Sequence, residues 1–206
     1  MTRTTFRRLA SRLLALLVVT AAPALVAAGA PQTPAPSDPA VPADGPVVRV
    51  PITGTIELGL APFVERSVRE AEAAGARALI LHIETPGGRI DAAQRIVDAV
   101  SDAAIPVYAF IDRRAFSAGA MIAIAADAIY MRPGSVIGAA TPVDGGGEKA
   151  SEKIVSAMRS EMRALAEARG LDPRVAEAMV DEDIEIPGLV EKGKLLTLTT
   201  EEAVRI

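Results

Sequence analysis

Residues 117–126 read Ser117-Ala118-Gly119-Ala120-Met121-Ile122-Ala123-Ile124-Ala125-Ala126. A serine opens a run that is otherwise apolar or small, with Gly119 in its first turn. No polar face is left over, so the spacing predicts a helix buried on all sides. Serine is a favoured N-cap, and one reading of Ser117 is a cap on that helix. The same geometry has a chemical reading. A helix N-terminus leaves backbone N–H groups unpaired and carries the positive end of the macrodipole. An anion forming beside Ser117 would therefore be stabilised.

Around this stretch, strand and helix patterns alternate. Val47 to Ile52 is a β-branched run suited to a buried strand. Leu60, Phe63, Val64, Ser67, Val68, Ala71 and Ala74 then recur at helical spacing, with Glu65, Arg66, Arg69, Glu70 and Glu72 on the other faces and Gly75 as the stop. Ala78 to Ile83 is a second strand, and Ile90, Ala93, Val97 and Val100 mark one face of a second helix. Pro106 to Ile111 is a third strand, followed by a polar turn over Asp112 to Phe116 and then by the Ser117 helix. Short strands are expected around Ala128 to Met131 and Val136 to Ile137, with helices over Ser151 to Arg169 and near Arg174 to Met179. Thr199 and Glu202 have the spacing of a capping box opening a last helix. The alternation predicts an α/β layered fold with a largely parallel sheet and right-handed crossovers.

Two loops carry more than connection. Glu84-Thr85-Pro86-Gly87-Gly88 sits at the C-terminal end of a strand and before a helix, where open α/β sheets bind ligands. Its glycine pair allows close backbone approach. The N–H of Gly88, with that of Gly87, is placed to meet a developing oxyanion. The second loop runs from Arg132-Pro133-Gly134-Ser135 into Val136-Ile137-Gly138-Ala139-Ala140-Thr141-Pro142. Its small residues suit either a substrate groove or close-packed turns.

The combined order IETPGG, then FSAGAMIAIAADAIYMRPGSVIGAATPV, resembles the ClpP-class serine peptidases of the crotonase-like superfamily, over roughly residues 47–206. More narrowly it is similar to the membrane-associated NfeD-type branch, which pairs an extracytoplasmic ClpP-like domain with a C-terminal membrane region. The resemblance implies that Ser117 is the nucleophile and that Gly88 and Ala118, with Gly87, supply the oxyanion hole. It also implies a peptide or protein substrate, with stomatin- or flotillin-type membrane proteins as partners, and a homo-oligomer of two or more copies. Longer members of that branch continue into membrane helices and often a small β-barrel domain, which are absent from this sequence.

A serine nucleophile needs a base, because its hydroxyl is scarcely ionised at neutral pH. Soluble ClpP enzymes use a histidine in the turn after the strand at Val136, but here that turn is Gly138-Ala139-Ala140. The single histidine, His82, falls inside a predicted strand, where a structural role is expected. The NfeD-type branch resembles a Ser-Lys dyad instead, and Lys149 and Lys153 are the candidates. Lys153 opens a helix whose positive end disfavours a cation, and its register resembles that of the family lysine. Lys149 falls in a glycine-rich, hydrated loop. Lys153 is therefore the expected base. Asp181, Glu182, Asp183 and Glu185 form an acidic cluster without histidine or cysteine partners, and no metal or other cofactor is expected.

The remaining composition narrows the setting. Arg3, Arg7, Arg8 and Arg12 precede an apolar run from Leu13 to Ala28, in the charged-apolar-small order of a secretory signal peptide over residues 1–28. An uncleaved anchor is the alternative, though the run is short and contains Pro23. The Pro/Ala-rich stretch 29–46 reads as an extended linker. The ClpP-like domain is then expected over 47–206, exported to the periplasmic or extracytoplasmic side, and the resemblance implies an association with the membrane. With no cysteine, neither disulfides nor thiolate metal sites are possible, and a net charge of −4 gives no footprint for nucleic acid. Two functions stand: an exported serine endopeptidase cutting flexible apolar segments, or a non-catalytic binding module for membrane-scaffold proteins on the same fold. An acyl-CoA enzyme fits less well, because export separates it from the CoA pool.

Overall fold

The computed structural model describes residues 44–206. The expected signal segment and all but the last three residues of the linker lie outside the described residues. Within them the chain runs β1 (Val47–Thr53), α1 (Leu60–Ala73), β2 (Ala78–Thr85), α2 (Ile90–Ser101), β3 (Val107–Phe116), α3 (Ala118–Ala125), β4 (Ala128–Met131), β5 (Val136–Gly138), α4 (Glu152–Ala168), α5 (Pro173–Ala178), β6 (Thr197–Thr199) and α6 (Thr200–Ala203). The sheet order is β1-β2-β3-β5-β6, with β4 also paired to β3. Every pairing is parallel except that of β5 with β6.

Because β1, β2 and β3 are adjacent in chain order, right-handed crossovers bring their connecting helices to one face. The strand burial follows. Val50, Ile52, Leu79, Leu81, Ile83, Val107, Ala109 and Ile111 are buried, while the alternate residues Arg49, Pro51, Ile80, His82, Glu84, Tyr108 and Phe110 are half-buried or exposed. On the covered face, α1 buries Ala61, Val64, Val68 and Ala71, and α2 buries Ala92, Ala93, Ile96, Val97 and Val100. These are the three- and four-residue spacings of an amphipathic helix. All eight residues of α3 are buried, as its all-apolar sequence predicts.

One expectation needs correction. The strand predicted to stop at Ile111 continues to Phe116, so Asp112–Phe116 is not a turn. Ile83 pairs with Ile111 but Thr85 pairs with Ala115, so β3 carries extra residues there and bulges. The bulged residues are charged and face outward: Asp112 meets Arg132 at 2.8 Å and Arg113 lies 3.7 Å from Glu84. Their polarity mimics a turn. The bulge also divides the edge of β3, whose Tyr108–Ile111 half takes β4 and whose Arg114–Phe116 end takes β5. That end carries Ser117.

Candidate active site

Ser117 joins β3 directly to α3, with φ 52° and ψ −122°. This backbone conformation is unfavourable for any residue with a Cβ, at about 1–3 kcal/mol. It is held from both sides. The Ser117 N–H donates to the Gly138 carbonyl at 3.0 Å, and its own carbonyl accepts from Ala120 at 2.9 Å and Met121 at 3.3 Å. The hydroxyl does not cap the helix and has no hydrogen-bond partner among the described residues. The cap reading of Ser117 is therefore excluded. A strained strand-to-helix serine of this kind projects its Oγ away from its own backbone.

The glycine pair lies beside it. A Cβ placed on Gly87, where φ is +105°, would fall 2.6 Å from Ser117 Cβ and 3.2 Å from Ser117 Oγ, so only glycine fits. The Gly87 N–H, expected to join Gly88 in facing an oxyanion, instead donates to Thr85 Oγ1 at 3.0 Å. The Gly87 carbonyl accepts from Ile56 N–H at 2.9 Å, and Arg89 N–H returns a bond to the Ile56 carbonyl at 2.8 Å. Between them the Gly88 N–H has no acceptor among the described residues. Its Cα packs so tightly on this segment that a Cβ would lie 2.2 Å from the Ile56 carbonyl oxygen. The first amide of α3, that of Ala118, points out of the helix end and is equally unpaired among the described residues.

The two lysines differ. Lys149 pairs with Glu182 at 2.9 Å, and that hydrogen bond holds its ammonium above the usual lysine range, the reverse of what a base requires. Lys153 stands in the first turn of α4, exposed and without an ion pair or hydrogen bond among the described residues. His82 lies among the alternate residues of β2, on the sheet face away from the helices and hence from α3. Its ring stacks on Phe110 with centroids 5.5 Å apart, and its buried Nδ1 has no partner among the described residues. It is packed but not satisfied, and it lies across the sheet from the Ser117 helix. Three of the four acids after α5 are occupied. Asp181 is paired with Arg159, Glu182 with Lys149, and Asp183 lies 3.7 Å from Lys192.

Residues 46–206 match the family model described as NfeD1b, N-terminal domain. The chain belongs to the NfeD1b N-terminal domain family. It is 42% identical over 158 residues to membrane protein NfeD1b of Bacillus subtilis, covering 76% of this chain and 36% of that protein. It is 32% identical over 149 residues to the membrane-bound protease PH1510 of Pyrococcus horikoshii, covering 68% of this chain and 31% of that protein. The chain thus spans about a third of the length of these curated relatives. Among solved structures it resembles 1510-N, a membrane-bound stomatin-specific protease. A lysine-to-alanine variant in complex with a substrate peptide superposes with a TM-score of 0.67 at 31% identity, covering 79% of this chain and 73% of that one. A serine-to-alanine variant gives 0.66 at 30%, covering 78% and 76%. ClpP1 from Listeria monocytogenes shares the fold, with a TM-score of 0.59 at 22% identity, covering 76% of this chain and 85% of that one. This NfeD1b-type domain is therefore a ClpP-like α/β fold related to a membrane-bound protease. No helix among its described residues is long and apolar enough to cross a membrane.

Proposed function

We propose that the chain is an exported serine endopeptidase in which Ser117 and Lys153 form the catalytic dyad. Ser117 Oγ attacks the peptide carbonyl carbon while Lys153 Nζ, in its neutral form, takes the hydroxyl proton. The carbonyl oxygen becomes an oxyanion between the N–H groups of Gly88 and Ala118, at the positive end of α3. Collapse breaks the C–N bond, and the amine leaves with the proton from Lys153. Water, deprotonated by the same lysine, then releases the acyl group from Ser117.

The observation that carries this reading is Ser117 itself: a strained serine with an unengaged hydroxyl, next to a glycine pair and two unpaired amides. The relatives add support, since a serine and a lysine were the residues replaced in the 1510-N structures. Flexible apolar segments are the proposed substrate, of the stomatin or flotillin type. Exposed apolar residues adjoin the relevant pieces of chain: Leu58 follows the Ile56 segment and Ile154 follows Lys153. Export to the periplasmic side, membrane association and homo-oligomer formation belong to the same reading. The sheet face left uncovered by the described residues, where Tyr130 is 57% exposed, supports self-association. N-terminal sequencing of protein from a secreting host tests the export step. The exposure of Lys153 favours one alternative, a binding module for such membrane proteins that performs no chemistry. A fluorophosphonate probe separates the two: the peptidase is labelled at Ser117 and loses labelling in Ser117→Ala, whereas the binding module shows no serine labelling.

A further inference from the structure

We infer that Thr85 is the positioning residue of the oxyanion hole, its hydroxyl holding the Gly87 N–H so that the Gly88 N–H alone in that loop faces the substrate. The inference rests on the serine peptidase reading above and adds to it a residue that touches no substrate. Thr85 is the last residue of β2 and is fully buried. Its Oγ1 donates to the Gly54 carbonyl at 2.6 Å and accepts from the Gly87 N–H at 3.0 Å. One hydroxyl thus ties the turn after β1 to the glycine pair.

The direction of the Gly88 N–H then follows from the peptide unit. In a planar trans peptide the carbonyl of Gly87 and the N–H of Gly88 point opposite ways. That carbonyl is bonded to Ile56, which follows β1, so the Gly88 N–H points away from the β1 side. In the order β1-β2-β3 the opposite side belongs to β3, whose end carries Ser117. Two adjacent glycines leave this peptide little resistance of its own to turning over. The Thr85 and Ile56 bonds supply that resistance.

The methyl group of Thr85 has a separate task. A Cβ on Gly119 would lie 2.3 Å from Thr85 Cγ2, so the first turn of α3 rests against this methyl. Thr85 therefore sets both candidate donors, the Gly88 amide through its hydroxyl and the Ala118 amide through its methyl. Serine would perform the first task only, and valine the second only.

Those two substitutions are the test, made in the full chain and assayed on a p-nitrophenyl ester with Ser117→Ala as control. Thr85→Val should lower kcat by about 10²–10³-fold, the cost of one lost oxyanion donor, with KM within about two-fold of wild type. Thr85→Ser should restore kcat to within about ten-fold of wild type, since the hydroxyl bond is kept. Should Thr85→Val fail to fold, Thr85→Ala supplies the hydroxyl-free variant. Equal kcat in the hydroxyl-free variant and wild type, or equal losses in it and Thr85→Ser, overturns the inference while leaving the peptidase reading intact. Ester turnover that persists unchanged in Ser117→Ala brings down that reading and this inference together.

Discussion

Adding a methyl at Gly119 tests how the helix that follows Ser117 is seated. Gly119 lies within α3, so alanine would favour the isolated helix by about 0.8–1.0 kcal/mol. The fold reverses that sign. The new Cβ would sit 2.3 Å from Thr85 Cγ2, well inside the normal carbon contact of about 3.5–4.0 Å. Thr85 cannot swing aside, because it is β-branched and its hydroxyl is held by Gly54 and Gly87. The first turn of α3 must rise instead, at an overpacking cost of about 1–3 kcal/mol. At about 2–4 °C per kcal/mol, a net loss near 1–2 kcal/mol lowers Tm by roughly 2–8 °C. Thr85→Ser removes Cγ2 and leaves Ala115 Cβ and Thr85 Cβ as the next neighbours, both at 3.8 Å. In that background Gly119→Ala should be neutral or stabilising, a coupling of about 1–3 kcal/mol in favour of the double variant. Urea melts of the four proteins measure it. If Gly119→Ala costs the same with threonine as with serine at 85, the contact does not seat the helix and the reasoning is wrong.

Three further outcomes are expected. Ser117→Gly should abolish probe labelling yet raise stability by about 0.5–2 kcal/mol, because glycine relieves the positive φ at a smaller entropic cost; destabilisation in a urea melt would count against strain at Ser117. Lys153→Ala should lower kcat by about 10³-fold or more, while Lys149→Ala and His82→Ala stay within about ten-fold of wild type; the reverse pattern in steady-state assays would move the base elsewhere. The Asp181 carboxyl is held below its ordinary range by the backbone N–H of Asp183 and by the Arg159 guanidinium. Its contribution to stability is therefore full above the unfolded value of about 3.9 and lost as pH falls through the lower folded one. Asp181→Asn should be less stable than wild type at pH 7, by a gap that shrinks at pH 3; a gap unchanged between those two melts would show that the charge is not what matters.

Most of the architecture was legible because burial repeats with secondary-structure period. The β-branched run at Val47, the apolar run at Ala78, the stripes of α1 and α2 and the all-apolar α3 each read correctly from local pattern. So did the Thr199–Glu202 capping box, in which both reciprocal bonds are present. The end of β3 did not, because Asp112 and Arg113 are long-range ion-pair partners at a bulge, and with Arg114 their charges look like a turn when read locally. The site divides in the same way. Ser117 and the glycine pair are local motifs, whereas Lys149, read as hydrated in its loop, is paired with Glu182 from the far side of α4 and α5 in the chain. The seat of Gly119 was invisible, since it depends on α3 meeting the Thr85 methyl from β2, while the Gly87 N–H is taken by a local threonine turn two residues back that competes with the oxyanion reading.

The strain in the fold is concentrated rather than spread. Among the described residues, the non-glycine positions with positive φ are Ser117, at 52°, and Ala139, at 49°. They meet at Gly138, whose carbonyl takes the Ser117 N–H and which precedes Ala139 in the chain. A Cβ on Gly138 would lie 2.4 Å from the Leu196 carbonyl oxygen, so the chain there is pressed against the segment leading to β6. Ala139 N–H bonds that same carbonyl at 3.1 Å, and Ala140 N–H bonds Met179 at 2.6 Å. Relaxing either strained residue would break one of these bonds, and a buried unpaired backbone group costs about 1–3 kcal/mol, as much as the strain itself. Backbone bonds on both sides therefore lock Ser117 in its unfavourable conformation. The helix behind it, buried on all sides, cannot shift to relieve it. A purely structural turn has no use for such an arrangement when glycine at 117 would satisfy the same bonds without strain. Under the proposed mechanism, serine at 117 supplies what glycine lacks, a hydroxyl with no partner among the described residues, and that hydroxyl is what a nucleophile requires.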